Sequence, residues 1–141
     1  MKGLIKLFFS FSLLAMLTSL HAGTKAVSLY ELDTLKNVGI KIIDIRLPNE
    51  ISQTGTIPGA YRLNLYKKDG SINRANWLRR FTTLVKDRKV KFILVSKTGE
   101  EAKIGADLLY DQKGYRNPFY LEGGFNHWIE QDRPIQYIRK K

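Results

Sequence analysis

The chain has 141 residues, a formal net charge of +11 at pH 7 and 43% hydrophobic residues. This length fits one domain with a single core. The chain contains no cysteine, which excludes a disulfide framework, thiolate metal sites and any chemistry that needs a thiol or a persulfide.

The amino-terminal region reads as a leader and not as part of a fold. Two lysines precede an apolar run from Leu7 to Leu20, and Ala22 is a small residue suited to cleavage. We predict a secretory signal peptide over residues 1–22 and export, to the periplasm, with a cut after Ala26 as an alternative. An uncleaved membrane anchor is the rival interpretation, but the apolar run is about 14 residues where a span needs roughly 20.

The net positive charge comes from 24 lysines and arginines against 13 acidic residues. These positive charges are scattered, except in a carboxyl-terminal tail, residues 135–141, that ends Arg139-Lys140-Lys141. We expect a solvated basic surface with weak attraction to anionic membranes. Nucleic acid is not an expected partner, because the predicted leader sends the chain out of the cytoplasm.

A short edge strand and a capped helix are predicted after the leader. Ala26 and Val27 fit the strand, and Ser28 and Glu31 have the spacing of a capping box, in which each side chain accepts from the other residue's backbone N–H. The helix would bury one apolar face, made of Leu29, Leu32 and Leu35.

The next segment predicts two strands separated by a loop and a turn. Ile40 to Ile45 is rich in β-branched residues and predicts a strand, which a polar loop through Gly55 follows. Ile57 to Ala60 is a turn, because proline fixes φ and glycine supplies freedom. Tyr61 to Leu65 alternates polar and apolar residues as a strand does.

A helix, a buried strand and a second helix are predicted in the second half. Arg74 to Lys86 has an apolar stripe at helical spacing, and Val90 to Val95 is an apolar run typical of a buried strand. A second helix follows the break at Ser96 to Gly99. The first stripe consists of Trp77, Leu78, Phe81, Leu84 and Val85, and the second helix has a face of small side chains at Ala102, Gly105, Ala106 and Leu109.

Pro118 to Leu121 predicts the last strand, and Phe125 to Gln131 predicts a short helix. Strands alternating with helices imply an α/β fold with a small, mainly parallel sheet covered on both faces. In such sheets ligands usually bind just past the carboxyl ends of strands, beside free helix N–H groups. The loop that begins at Ser96 has that position.

Four motifs stand in a fixed order along about residues 26–134. They are Asp44-Ile45-Arg46 with Glu50, Gly55-Thr56-Ile57-Pro58-Gly59-Ala60, the loop Ser96 to Ala102, and Gly114-Tyr115 through Leu121-Glu122-Gly123-Gly124-Phe125 to Trp128. In their order and spacing these motifs resemble the rhodanese family. The resemblance implies a single rhodanese-like domain, with a five-stranded, mainly parallel sheet between helices and a site in the loop after the fourth strand.

The chain departs from the family pattern at three positions. Family enzymes carry in the loop a cysteine that becomes a persulfide, in a pattern close to Cys-Arg-Ser-Gly-x-Arg-Ser whose backbone N–H groups cradle the sulfur or an anion. Ser96 holds the cysteine position, Glu101 holds an arginine position, and Thr56 stands where the family has a histidine. The aligned loop is Ser96, Lys97, Thr98, Gly99, Glu100, Glu101 and Ala102.

These departures argue against the family's activity. A serine hydroxyl is barely ionised at neutral pH and forms no stable analogue of a persulfide, so we expect no sulfur transfer through Ser96. The related dual-specificity phosphatases need both a cysteine and an arginine in this loop, and this chain has neither there.

Glu101 has two interpretations. Thr98 to Glu101 has capping-box spacing, which predicts a helix start that caps itself. Alternatively, the loop forms an altered binding site that takes a neutral or cationic group near Glu100 and Glu101.

The remaining polar motifs are interpreted as scaffold. Asp44, Arg46 and Glu50 look like a salt-bridged cluster at a strand end. Gly123 and Gly124 provide backbone freedom for a tight turn that shapes the floor of the site. Dispersed carboxylates and one histidine outside the leader give no metal signature, and no cofactor is expected.

Two functional hypotheses remain open. The leading one is a non-catalytic binding or accessory module that recognises an unknown protein or small molecule through the loop from Ser96 to Glu101. The alternative is residual chemistry at the same loop, such as a hydrolase in which His127 activates Ser96.

Overall fold

The computed structural model describes residues 23–139. The predicted leader, residues 1–22, and the last two lysines of the basic tail lie outside the described residues. Within residues 23–139, no helix is long and apolar enough to span a membrane.

Strands and helices alternate along the described chain. The strands are β1 (Lys25–Val27), β2 (Lys41–Asp44), β3 (Tyr61–Arg62), β4 (Lys91–Val95) and β5 (Asn117–Leu121). The helices are α1 (Leu29–Asn37), α2 (Pro48–Thr54), α3 (Arg74–Leu84), α4 (Glu100–Lys113) and α5 (Gly124–Glu130).

The strands form one parallel sheet in the order β1-β5-β4-β2-β3. The central strand β4 pairs with β2 on one side, where Ile93 lies opposite Ile42, and with β5 on the other, where Ile93 lies opposite Phe119. The predicted five-stranded parallel α/β sheet is confirmed.

Two apolar cores cover the two faces of the sheet, because successive side chains of a strand point to opposite faces. Phe92 and Leu94 of β4 belong to the core that contains Trp77 of α3. Ile93 and Val95 belong to the core that contains α1 and α5 side chains. Helices therefore lie on both faces, as predicted.

Small side chains bring α4 close to the sheet. A Cβ atom added at Gly105 would lie 3.2 Å from Leu94 Cδ1 and 3.3 Å from Trp77 Cη2, which is already tight. The predicted face is buried throughout, at Ala102, Gly105, Ala106 and Leu109.

The predicted capping box of α1 is confirmed. Ser28 Oγ accepts a hydrogen bond from Glu31 N at 3.2 Å, and Glu31 Oε2 accepts one from Ser28 N at 2.8 Å. The Ser28 N–H and hydroxyl groups stabilise the charged carboxylate, so the pKa of Glu31 is lowered.

The prediction of a polar loop after β2 was wrong in part, since this segment contains helix α2. Pro48 stands at the start of this helix, where its missing N–H costs no hydrogen bond, and Glu50 Oε2 accepts from Leu47 N at 2.9 Å. Ile51 is the buried residue of this short helix. The apolar periodicity that predicts longer helices is therefore missing here.

Strand β3 is shorter than the predicted segment Tyr61 to Leu65. The chain continues beside β2 beyond Arg62, because Leu63 N donates to Asp44 O at 2.9 Å and Leu65 N donates to Ile45 O at 3.0 Å. Leu63 and Leu65 are buried, so the alternating pattern did identify the inward-facing residues.

Candidate functional site

The loop from Ser96 to Gly99 joins the carboxyl end of β4 to the first turn of α4. The Ser96 side chain is buried, with the residue 2% exposed. Its Oγ accepts hydrogen bonds from Gly99 N at 3.0 Å and from Ala102 N at 3.1 Å. These N–H groups lie at the start of a helix, where intrahelical partners are lacking, so the Ser96 hydroxyl caps α4.

The predicted capping box from Thr98 to Glu101 was wrong. The residue before α4 is Gly99, at φ 99°, and no side chain hydrogen bond caps the helix from that position. A Cβ atom at residue 99 would lie 2.9 Å from Leu121 O, so the tight turn there needs glycine. Ser96 supplies the cap from three residues earlier.

Helix α5 closes the other side of the loop. Phe125 N donates to Ser96 O at 2.8 Å, and Asn126 N donates to Lys97 O at 3.0 Å. Gly124, at φ 62°, permits this approach, because a Cβ atom there would lie 2.5 Å from both accepting carbonyl oxygens. Gly123, at φ 74°, precedes it in the same turn.

Asp44 and Arg46 form a buried ion pair beside this loop. Arg46 Nη2 lies 2.7 Å from Asp44 Oδ2, and the two side chains are 4% and 1% exposed. The remaining polar groups are also satisfied: Arg46 donates to Thr54 Oγ1 at 2.9 Å and to Gly55 O at 2.8 Å, and Thr56 Oγ1 donates to Asp44 Oδ2 at 2.7 Å. The pair is thus built into the scaffold.

Glu50 does not share this ion pair, contrary to the predicted three-residue cluster. Its carboxylate accepts from Leu47 N and so caps α2. Among the ion pairs of residues 23–139, Glu50 has none. The guanidinium of Arg46 instead lies over the ring of Phe125, with its central carbon 3.8 Å from the ring centroid.

A cavity of about 440 Å³ opens at this edge of the sheet. We call it the Ser96 cavity. Its polar lining includes Arg46, Glu50, Tyr66, Ser96, Lys97 and Glu101. Of the seven aligned loop residues, Ser96, Lys97 and Glu101 line it, whereas Glu100 is exposed outside it.

A family model described as the rhodanese-like domain matches residues 26–131 of this chain. The chain belongs to the rhodanese-like domain family. A curated rhodanese domain-containing protein of Drosophila melanogaster is 22% identical over 102 residues, which are 71% of this chain and 91% of that protein.

Solved structures share the rhodanese-like fold. A thiosulfate sulfurtransferase of Pseudomonas aeruginosa matches with a TM-score of 0.66 and 21% identity, over 84% of this chain and 21% of that chain. The polysulfide-sulfur transferase homodimer of Wolinella succinogenes matches with a TM-score of 0.61 and 18% identity, over 84% of this chain and 82% of that chain. At these identities the likeness shows the fold.

Glu101 places an acidic side chain in the lining of the Ser96 cavity. The Oε2 atom of Glu101 is buried and has no hydrogen-bond partner in residues 23–139. Burial raises the pKa of the nearby Tyr66 phenol, and the negative charge of Glu101 raises it further. A carboxylate therefore lies in the lining of the cavity.

His127 does not pair with Ser96. Its Nδ1 lies 3.7 Å from Glu130 Oε2, its side chain is 43% exposed, and it does not line the Ser96 cavity. Within the described chain, the hydrogen bonds of Ser96 Oγ are those with Gly99 and Ala102. The proposed serine–histidine hydrolase thus has no hydrogen-bonded nucleophile and base in this structure.

Sequence reasoning missed three polar side chains of the lining, those of Tyr66, Lys67 and Lys68. They follow the extended segment that runs parallel to β2, about thirty residues before the loop. Because the carboxyl ends of parallel strands meet at one edge of a sheet, the end of that segment could have pointed to them.

Among residues 23–139, no group of three or more histidine, cysteine and acidic residues is placed to hold a metal ion.

Proposed function

We propose that this chain is an exported rhodanese-like protein that does not transfer sulfur and that acts as a binding or accessory module. The observation that carries the proposal is the absence of cysteine from the whole sequence. Serine occupies the position that the family motif gives to the persulfide-forming residue.

The chemistry of sulfur transfer supports this conclusion. In that reaction a thiolate attacks sulfane sulfur, a sulfur–sulfur bond forms, and the donor's remainder leaves with the electron pair of the broken bond. The Ser96 hydroxyl is barely ionised at neutral pH. Its oxygen also accepts two backbone N–H groups, which occupy its lone pairs.

The cavity supports a binding role. Its volume of about 440 Å³ lies within the range of small-molecule sites, and it lies at the strand ends where ligands bind in parallel sheets. The Asp44–Arg46 ion pair and the α5 contacts hold its walls. A cavity that is held by these contacts and lacks the family's nucleophile suits recognition.

Sulfur transfer from thiosulfate to cyanide tests the proposal. We expect no thiocyanate from the unmodified protein and measurable thiocyanate from Ser96→Cys, because the loop N–H groups would then face a thiolate. Ser52→Cys is the matched control, since residue 52 is exposed on α2 and a cysteine there lacks the loop. Turnover by the unmodified, cysteine-free protein overturns the proposal.

Export rests on the predicted leader over residues 1–22. The mass of the mature protein recovered from the cell envelope tests it. Loss of the leader residues supports export with cleavage, and an intact Met1 in a membrane fraction supports the anchor instead.

A further inference from the structure

We propose that the Ser96 cavity binds a small zwitterion, with an ammonium or guanidinium group at Glu101 and a carboxylate at Lys67, Lys68 and Lys97. This inference rests on the proposed function, because it names the ligand class of the same site. It follows from the charges that line the cavity and from which of them are already engaged, because Glu50, the other lining carboxylate, accepts from Leu47 N at 2.9 Å and caps α2.

Glu101 supplies the acceptor for the cationic group. Its buried Oε2 has no hydrogen-bond partner in the described part of the chain. No lysine, arginine or histidine of that part lies within ion-pair distance of it. Glu101 also lines the cavity, so a ligand cation beside this carboxylate gains a charge-assisted hydrogen bond and offsets the cost of its unpartnered charge.

Arg46 neither pairs with Glu101 nor offers a free guanidinium to the ligand's carboxylate. Its Nε and Nη2 atoms donate to Asp44, its Nη2 also donates to Gly55 O, and its Nη1 donates to Thr54 Oγ1. Phe125 covers one face of the guanidinium. The arginine that lines the cavity is therefore committed to the scaffold.

Three lysines supply the positive side of the cavity. Lys67, Lys68 and Lys97 all line it, all are exposed, and none forms an ion pair within residues 23–139. Exposed ammonium groups attract a carboxylate and repel a second cation. The buried carboxylate repels a second anion.

The Glu101 carboxylate and the three lysines together disfavour ligands whose charges all have the same sign. A dianion would meet the lysines but would also bring a negative charge near Glu101, and a dication would meet Glu101 but also the lysines. Such repulsion is a common source of specificity. A molecule with one charge of each sign satisfies both sides.

Calorimetric titration of the full chain with three matched five-carbon probes tests the inference. The probes are 5-aminovalerate, with one charge of each sign, cadaverine, with two positive charges, and glutarate, with two negative charges. We expect 5-aminovalerate to bind at least about tenfold more tightly than either other probe, since one charge-assisted hydrogen bond is worth about that factor. Glutarate binding as tightly as 5-aminovalerate overturns the inference.

Variants locate the binding. Glu101→Gln should weaken 5-aminovalerate about tenfold or more and abolish its advantage over glutarate, whereas Glu100→Gln, on the same helix turn but outside the cavity, should leave both affinities unchanged. Unfolding curves confirm that each variant is folded. Equal effects of the two variants, or no binding of any probe, overturn the zwitterion site. Neither result touches the thiosulfate assay, which tests the proposed function separately.

Discussion

Asp44 shows how much one residue can contribute when it is buried. Its carboxylate accepts from Arg46 and from Thr56, and both members of the ion pair are almost fully enclosed. Removing one partner of a buried pair leaves the other charge without compensation, which is more costly than the pair's own net contribution.

We therefore predict that Asp44→Asn lowers the free energy of unfolding by about 3–5 kcal/mol, as measured by urea denaturation. Asp107→Asn is the control, because Asp107 pairs with Lys103 at 2.8 Å on the surface, with side chains 40% and 55% exposed. We expect a much smaller change there, since water already solvates both charges. Equal effects of the two variants would contradict this account.

Tyr66 reports the charge of Glu101. Burial raises the pKa of the Tyr66 phenol, and the Glu101 carboxylate raises it further because it disfavours a second negative charge nearby. We predict that Glu101→Gln lowers the pKa of Tyr66 while leaving it above the ordinary tyrosine value, because burial remains. Ultraviolet titration measures it, and Tyr66→Phe identifies the signal.

Glu100→Gln serves as the control for this titration. Glu100 is exposed and lies outside the cavity, so its neutralisation should leave the Tyr66 curve in place. An unchanged Tyr66 pKa in Glu101→Gln would show that the two groups do not interact.

At the scale of elements, the contact between α5 and the Ser96 loop depends on one missing side chain. Gly124 has φ 62° and no room for a Cβ atom, whereas Gly114 at the end of α4 has φ 68° and nothing within 4 Å of that position. Both glycines have a positive φ, which would strain any other residue, and they differ in the close approach.

We predict that Gly114→Ala costs about 1–2 kcal/mol of unfolding free energy, from the left-handed backbone alone. Gly124→Ala should cost about 1–3 kcal/mol more, because the methyl group forces the loop carbonyls away. Chemical denaturation compares them, and similar losses in both variants would show that the loop adapts freely.

The elements found from the sequence are those with a strong local pattern. Ile40 to Ile45 and the stripe from Trp77 to Val85 have the periodicities of a strand and a helix, and both elements were predicted. Helix α2 has one buried residue, Ile51. A single apolar position cannot produce the periodic apolar pattern by which a helix is predicted. Its start was marked only by Pro48 and the Glu50 cap.

The site was predicted less completely, because its contacts join distant segments. The motif spacing identified the loop, and Asp44 and Arg46 were identified as scaffold. The capping role of Ser96 depends on the backbone path through Gly99, which a local Thr98-to-Glu101 pattern does not reveal. Tyr66 reaches the cavity through the pairing of strands, which no local pattern encodes.

At the scale of the whole molecule, strand β4 belongs to both cores. Phe92 and Leu94 pack on one side with Trp77, while Ile93 and Val95 pack on the other with Trp128. Loss of either core removes one face of the central strand, so we expect the two sides to unfold together.

We predict a single unfolding transition reported equally by both tryptophans. In Trp128→Phe the remaining fluorescence reports the Trp77 core, and in Trp77→Phe it reports the other core. Within each variant the fluorescence curve should coincide with the circular dichroism curve. A fluorescence midpoint separate from the dichroism midpoint would show that the two sides open independently.

Strand β1 sets a limit on how far the amino terminus can be shortened. It has three residues, and Lys25, Ala26 and Val27 lie opposite Phe119, Tyr120 and Leu121 of β5. A peptidase that cut after Ala26 would leave one residue to cover that edge, whereas a cut after Ala22 leaves the strand whole. An uncovered strand edge is a template for aggregation between molecules. If the predicted leader is removed, we expect the position of the cut to affect solubility as well as mass.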